Sequence, residues 1–173
     1  MAMITVVSDT HGNTGHRLSG RVLDAVSAAD LVLHAGDFYT EAALSAFEQE
    51  ATRLEAVYGN TDVHAVRSRL PAERVVEYDG LRIALAHGHE HTDTSLTMFG
   101  RQANADLVVF GHSHEPGFER RGDIGFLNPG SHADPRWYRP GYAELEVGGD
   151  HAEGRLIEPT GATFDTFRIE LEG

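Results

Sequence analysis

The sequence of 173 residues contains no cysteine, no lysine and no long apolar run. Without cysteine, disulfides, thiolate zinc sites and thiol nucleophiles are excluded. Any metal would have to be held by His, Asp, Asn or Glu, away from soft thiolate chemistry. Without lysine, all 14 basic residues are arginine; they stand against 27 acidic residues, for a formal net charge of -13. This balance argues against a DNA-backbone binder, whose electrostatic footprint is basic, so no stable nucleic-acid binding is expected. The N-terminal stretch MAMITVVSDTH has no charged leader, and its apolar run is far too short for a signal segment or a membrane span. A cytoplasmic chain with no membrane partner is expected. A self-repelling acidic surface is a lever used by halophiles and points to a salt-adapted, haloarchaeal source; a GC-rich mesophile would favour arginine as well.

What the chain does have is one recurring pattern. A short apolar run ends in a small residue, and polar residues follow. It occurs in MITVVSDTHGN (Met3–Asn13), DLVLHAGD (Asp30–Asp37), LEAVYGNTD (Leu54–Asp62), LRIALAHGH (Leu81–His89), DLVVFGHSH (Asp106–His114) and, more weakly, GFLNPGS (Gly125–Ser131). Such Val-, Ile- and Leu-rich runs read as buried strands that stop at their C-terminal ends. Helical spacing over His16–Ala29, Thr40–Ala51 and Leu96–Ala105 predicts crossover helices, and strand–helix alternation implies parallel strands. After Gly117 a hairpin turning at Arg121–Asp123 and three alternating segments predict antiparallel strands forming a second sheet. No linker divides the sequence, so one α/β domain over residues 1–173 is expected, with helices on the outer faces.

In an open α/β sheet, ligands bind beyond the carboxyl ends of the strands. That rim collects Asp9, His11, Asp37, Asn60, His87, His112 and His114. Each fragment alone has a plain structural reading: an Asp at a strand end caps a helix, and Gly-Asn is a common turn. The His112-x-His114 pair is the strongest single signal, because residues i and i+2 of an extended segment point to the same side. Together, seven nitrogen and oxygen donors at five strand ends predict a metal centre. Asp37 lies mid-set, where a carboxylate can bridge two cations with its two oxygens. Two cations about 3.5–4 Å apart bind a phosphoryl group, activate water at neutral pH and stabilise both the attacking and the leaving oxygens.

The order D-x-H, G-D, G-N, H-G-H, G-H-x-H resembles that of the calcineurin-like metallophosphoesterases. The short chain, the GNTD form of the third motif and the NPGS after the last histidine pair resemble their small YfcE/Vps29-like phosphodiesterase branch. The resemblance implies two stacked mixed β-sheets flanked by helices, a four-layer αββα fold, with two divalent ions. Manganese is the usual one, and nickel, iron, cobalt or zinc also suit the donors. It implies Asp9, His11 and His114 on one metal, Asn60, His87 and His112 on the other, and Asp37 bridging. Asn60, His87 and Asp37 would then serve a metal-activated water. Larger members carry a histidine after Gly-Asn; here Thr61 and Asp62 follow, and no general acid is evident. His89, Asp62 and His132 are candidates for supporting or substrate contacts. Asn128–Ser131 is expected to shape the rim through its backbone.

The expected activity is hydrolysis of phosphate diesters by a metal-bound hydroxide, with a phosphate ester as the partner; a homo-oligomer is compatible with the sequence. The competing reading is a non-catalytic Vps29-like protein-binding scaffold. In such scaffolds donor positions have drifted, whereas all seven are competent here. A nuclease of the same superfamily ranks lower, because neither a basic groove nor an added domain is visible.

The acidic, lysine-free surface generates a first prediction. Self-repulsion reaches furthest at low ionic strength, so the thermal midpoint should rise with KCl over the molar range. A midpoint that is flat or falls would remove the halophilic reading.

Overall fold

All six apolar runs form strands, and they fall into two parallel sets. The computed structural model describes residues 1–172; Gly173, the end of the expected domain, lies outside the described residues. In the first set, β1 (Ala2–Val7) pairs in parallel with β2 (Leu31–His34), which pairs with β3 (Leu54–Ala56). In the second, β5 (Leu81–Ala86), β6 (Leu107–Val109) and β8 (Ile124–Asn128) are parallel. Antiparallel strands extend each set. The six-stranded sheet runs β11-β10-β9-β1-β2-β3 and the five-stranded sheet runs β4-β5-β6-β8-β7. Here β4 is Glu73–Tyr78, β7 Gly117–Arg121, β9 Tyr142–Gly148, β10 His151–Ile157 and β11 Thr163–Glu170.

The two mixed sheets stack face to face, as the family resemblance implied. The expectation that the C-terminal strands form their own sheet is corrected. β9 pairs antiparallel with β1, Ile4 opposite Leu145, and β10 and β11 continue outward from it. The alternation of β9–β11 showed one buried face but not which strand they would join; the free edge of β1 supplied the template.

Period-two alternation sorts the side chains into layers. Ile4, Val6, Leu31 and Leu33 face Ile83, Leu85, Leu107, Val109 and Leu127 across the space between the sheets. On the far side of β1–β3, Val7 and Val32 pack against Val22 and Val26 of α1 (Gly20–Ala28) and Leu44 and Phe47 of α2 (Glu41–Glu50). Beyond β5, β6 and β8, Ala84, Val108 and Phe126 pack against Leu96 of α4 (Asp93–Gln102). Strands buried on both faces explain the unbroken apolar runs. α1 also packs on Tyr142 of β9 and Ile157 of β10, and farther along these strands Glu144, Glu153, Arg155, Thr166 and Arg168 line a surface hollow.

Helix boundaries differ most from the spacing-based expectations in α1 and α4, and α4 ends at Gln102 rather than Ala105. α1 begins at Gly20 rather than His16, because Arg17 and Gly20 take positive φ values and break the first turn. α4 begins at Asp93 rather than Leu96: Thr92 and Ser95 form a reciprocal capping box, a signal present in the sequence as T-x-x-S. The short α3 (His64–Arg67) and the strand β4 are additional to the elements expected from the sequence pattern.

His34 ends β2 in full burial, stacked on Phe38 at 3.6 Å and edge-on to Phe47 at 4.9 Å. Its Nδ1 accepts the Gly36 N–H (3.1 Å), which leaves Nε2–H to donate to Thr10 Oγ1 at 3.0 Å. The neutral ring therefore ties together the loops that follow β1 and β2. Burial pushes its pKa well below the ordinary 6.5. Between those two values the unfolded chain binds the extra proton, so this contribution is present above pH 6.5 and is lost as pH falls below it. His34→Gln should cost about 1–3 kcal/mol at pH 8, the cost of unpaired buried groups. Chemical denaturation in chelator should show the gap to wild type narrowing below pH 6.5; a constant gap would show that His34 carries no proton-linked stability.

Candidate metal centre

The six parallel strands end at one edge of the sandwich, so loops from both sheets converge there. β1, β2 and β3 deliver Asp9 and His11, Asp37, and Asn60. From the facing sheet, β5 and β6 deliver His87, and His112 and His114. Five of these seven residues have left-handed backbone: Asp9 (φ 54°), His11 (48°), Asp37 (65°), His112 (71°) and His114 (65°). This corrects the reading of His112-x-His114 as an extended pair. The left-handed turns swing the two rings to separate partners: His112 Nδ1 lies 3.1 Å from Asn60 Oδ1, and His114 Nε2 lies 3.5 Å from Asp9 Oδ1. Such conformations are costly for residues with a Cβ and cluster where function requires them.

The donors form a continuous patch. Acceptor atoms of Asp9, His11 and His114 lie within 4.8 Å of one another, as do those of Asp9, Asp37 and His87. Asn60 Oδ1 sits 3.1 Å from both His87 Nε2 and His112 Nδ1. Asp37 Oδ2 is 3.4 Å from His11 Nε2 and 3.2 Å from His87 Nε2. Asp9 Oδ1, His11 Nε2 and His114 Nε2 are buried without a hydrogen-bond partner among the described residues. Three converging orphaned acceptors are expensive unless a cation satisfies them, and a nitrogen–oxygen set without thiols suits a divalent metal.

Supporting contacts orient the donors. His87 Nδ1–H donates to the Ala35 carbonyl at 2.7 Å and His114 Nδ1–H to the Asp134 carbonyl, so in each ring Nε2 presents its lone pair to the centre. Asp9 Oδ2 accepts from Ser8 Oγ–H (2.7 Å) and the His112 N–H (3.0 Å). Asp37 Oδ1 accepts the Thr61 N–H at 2.9 Å. Burial pushes the Asp9 carboxyl up, opposed by His87 and His114. Burial acts to raise Asp37 too, but the imidazoles of His11 and His87 beside it and the Thr61 N–H hold it far below the carboxylate range. His11 and His87 are raised in return, His11 chiefly by its Asp37 contact and His87 by the two carboxylates against its own burial.

The remaining candidates separate by what they touch. The Asp62 carboxylate accepts the N–H groups of Asp37, Tyr39 and Gly59, lashing two motif loops together. The His89 ring lies 5.4 Å from that of His87, and burial and the His87 charge lower its pKa. His132 donates to the Arg17 carbonyl at 3.2 Å, and burial lowers it to about 4. The expectation that Asn128–Ser131 works through its backbone is corrected. Asn128 Nδ2 donates to the Gly111 carbonyl and to Ser113 Oγ, while Ser131 Oγ donates to the Asp9 carbonyl at 2.8 Å. Sequence reasoning missed Ser8, Arg17 and Asp134. Asp134 Oδ2 stands 3.7 Å from His11 Nδ1, and Arg17 bridges the Thr10 and Ala133 carbonyls. The roles of Arg17 and Asp134 exist only once distant loops meet, whereas Ser8 bonds to its neighbour Asp9.

A family model described as the calcineurin-like phosphoesterase superfamily domain matches residues 2–150. A probable metallophosphoesterase of Methanothermobacter thermautotrophicus is 34% identical over 164 residues, covering 92% of this chain and 94% of that protein. The phosphodiesterase YfcE of Escherichia coli is 28% identical over 161 residues, covering 81% and 84%. Among solved structures, Vps29 of Cryptosporidium parvum superposes with a TM-score of 0.82 at 18% identity, covering 98% of each chain, a likeness of fold.

Close backbone approach at Gly59 generates the prediction for this site. A Cβ there would fall 2.1 Å from Asp37 Oδ1, so Gly59→Ala must displace the carboxylate. Titration calorimetry should find manganese affinity reduced roughly 10–100-fold, the range for lost supporting contacts. Wild-type affinity would show that Asp37 does not hold the metal.

Proposed function

The chain belongs to the calcineurin-like phosphoesterase superfamily, and from that premise we propose that it hydrolyses phosphodiesters at a centre for two divalent ions. Asp9, His11 and His114 would hold one ion, Asn60, His87 and His112 the other, and Asp37 would bridge. One arrangement carries this reading: a single carboxylate oxygen, Asp37 Oδ2, faces His11 of one trio and His87 of the other at 3.4 and 3.2 Å. Its second oxygen accepts the Thr61 N–H. When bound, divalent ions supply Lewis acidity toward phosphoryl oxygens and lower the pKa of coordinated water.

The chain's own residues set the rest. The Nδ1 contacts of His87 and His114 with backbone carbonyls aim both Nε2 atoms at the centre. The burial of Asp9 and Asp37 keeps bulk water from screening their charge. After Asn60 comes Thr61, which cannot deliver a proton at neutral pH. His132 is engaged with Arg17 and held neutral, so it is a poor proton donor as well. The full donor set favours an enzyme over a Vps29-like scaffold. The family is usually studied with manganese, and the same donors accept nickel, iron, cobalt or zinc.

Elemental analysis after manganese loading should find close to two ions per chain, and Asp37→Asn should lose most of them. Because a general acid is typically worth roughly 10²–10⁴-fold, rates should fall steeply with rising leaving-group pKa, aryl diesters reacting far faster than alkyl ones. His132→Ala should cost little. Equal metal content in wild type and Asp37→Asn would overturn the bridged centre. Similar aryl and alkyl rates, with activity lost in His132→Ala, would make His132 the acid.

A further inference from the structure

The sequence SHADP (Ser131–Pro135) follows β8 and supplies no donor to the centre. Proline at 135 biases Asp134 toward extended backbone. Asp134 N–H donates to Ser131 Oγ at 2.8 Å, a local bond that a serine hydroxyl commonly makes. Ser131 is buried, and its Oγ–H donates to the Asp9 carbonyl at 2.8 Å. Arg17 spans the Ala133 and Thr10 carbonyls at 3.1 and 3.2 Å. The turn from Ser131 to Asp134 is thereby fastened to the loop after β1, which carries Asp9 and His11.

So placed, Asp134 meets both imidazoles of one trio. Its Oδ2 stands 3.7 Å from His11 Nδ1, and its main-chain carbonyl accepts from His114 Nδ1–H. The opposite nitrogens of those rings are the buried orphans of the centre. His11 Nε2 lies 3.4 Å from Asp37 Oδ2, and His114 Nε2 lies 3.5 Å from Asp9 Oδ1. An oxygen behind Nδ1 draws that edge of an imidazole outward and aims Nε2 inward, the usual service of an outer partner to a ligating histidine. With Ser131 on the Asp9 carbonyl, the turn touches all three members of the Asp9–His11–His114 group, whose ligating atoms lie within 4.8 Å of one another.

The other half of the rim is supported without such a group. His87 Nδ1–H donates to the Ala35 carbonyl, and His112 Nδ1 faces Asn60, itself a donor. The carboxylates within ion-pair distance of His87 are the donors Asp9 and Asp37, and none meets His112 among the described residues. An outer carboxylate thus stands behind one half of the centre and not behind the other. We propose that Asp134 is a positioning residue for that half alone: its carboxylate orients His11 and so sets the affinity for the ion that Asp9, His11 and His114 would hold, without binding the ion itself. This rests on the reading of the rim as a two-ion centre and gives its two halves separate supports. The carboxylate is 39% exposed, so solvent screens part of its charge, and an uncharged oxygen in its place keeps part of the effect.

The test measures manganese binding by equilibrium dialysis on the full chain, stripped with chelator and reloaded. Wild type should show two sites. Asp134→Leu should weaken one of them roughly 10–100-fold, the range for a lost outer partner of a ligating histidine, and leave the other unchanged. Asp134→Asn, which keeps an oxygen, should fall between wild type and Asp134→Leu. His114→Ala, which breaks the trio, should keep the second site, and adding Asp134→Leu to it should change nothing further. Wild-type affinity at both sites in Asp134→Leu would overturn the role of Asp134 and leave the two-ion centre standing. So would equal weakening of both sites, or a further loss when Asp134→Leu joins His114→Ala, because a residue that merely holds the fold acts on both halves. If Asp134→Leu does not fold, shown by its thermal midpoint in chelator, Asp134→Asn decides by the same criteria. If wild type binds fewer than two ions, the two-ion reading fails, and the role of Asp134 with it.

Discussion

Two buried carboxylates, Asp9 and Asp37, meet at the edge of the sandwich, and the loops around them are arranged to leave each with one oxygen to spare. Asp9 Oδ2 is held by Ser8 and the His112 amide, and Asp37 Oδ1 by the Thr61 amide. The second oxygen of each turns toward imidazoles. A buried carboxylate is costly unless it is paired, and an arginine would be the usual partner. Fourteen arginines are available, and among the described residues none touches either group. An arginine there would saturate the oxygens that a metal needs. Arg17 and Arg67 serve from outside, binding carbonyl oxygens of the motif loops and leaving the carboxylates open.

Holding this geometry requires backbone that a random loop would not adopt. The left-handed residues stay in place because their neighbours are tied from several directions. Asp62 gathers three amides, His34 joins Thr10 to Gly36, and Ser131 grips the Asp9 carbonyl. The ties run between motifs far apart in sequence, so each loop is shaped by the others. Orientation is fixed before any ligand arrives, which is the condition for a preorganised site.

Much of this was legible in the sequence for one physical reason. Strands buried on both faces write themselves as apolar runs, and the polar residues that follow mark where the sheet stops. That logic put Asp9, His11, Asp37, Asn60, His87, His112 and His114 on one rim, and the structure brings them together. It erred where period-two geometry was carried past the strand end: His112 and His114 follow β6 with left-handed backbone, and the extended-segment rule no longer applies. It also erred for β9–β11, whose alternation shows a buried face but not the strand they join. Arg17 and Asp134 stayed hidden because their partners lie on other loops, and Ser8 because a serine beside an aspartate is too common to mark its bond to Asp9 Oδ2. The capping box at Thr92 and Ser95 is a different case, a local signal written in the sequence as T-x-x-S.

The centre straddles a seam. Asp9, His11, Asp37 and Asn60 ride on one sheet, and His87, His112 and His114 ride on the other. What holds the sheets in register beneath them is the apolar interlayer of Ile4, Leu33, Leu85, Val109 and their neighbours, which on the side of the edge strands β7 and β11 includes Phe118 of one sheet stacked on Phe167 of the other at 4.0 Å. That interlayer works as a spacer gauge. Its thickness sets the gap between the two halves of the donor set, so the volume of a leucine with no polar atom helps to decide which ions the rim can span.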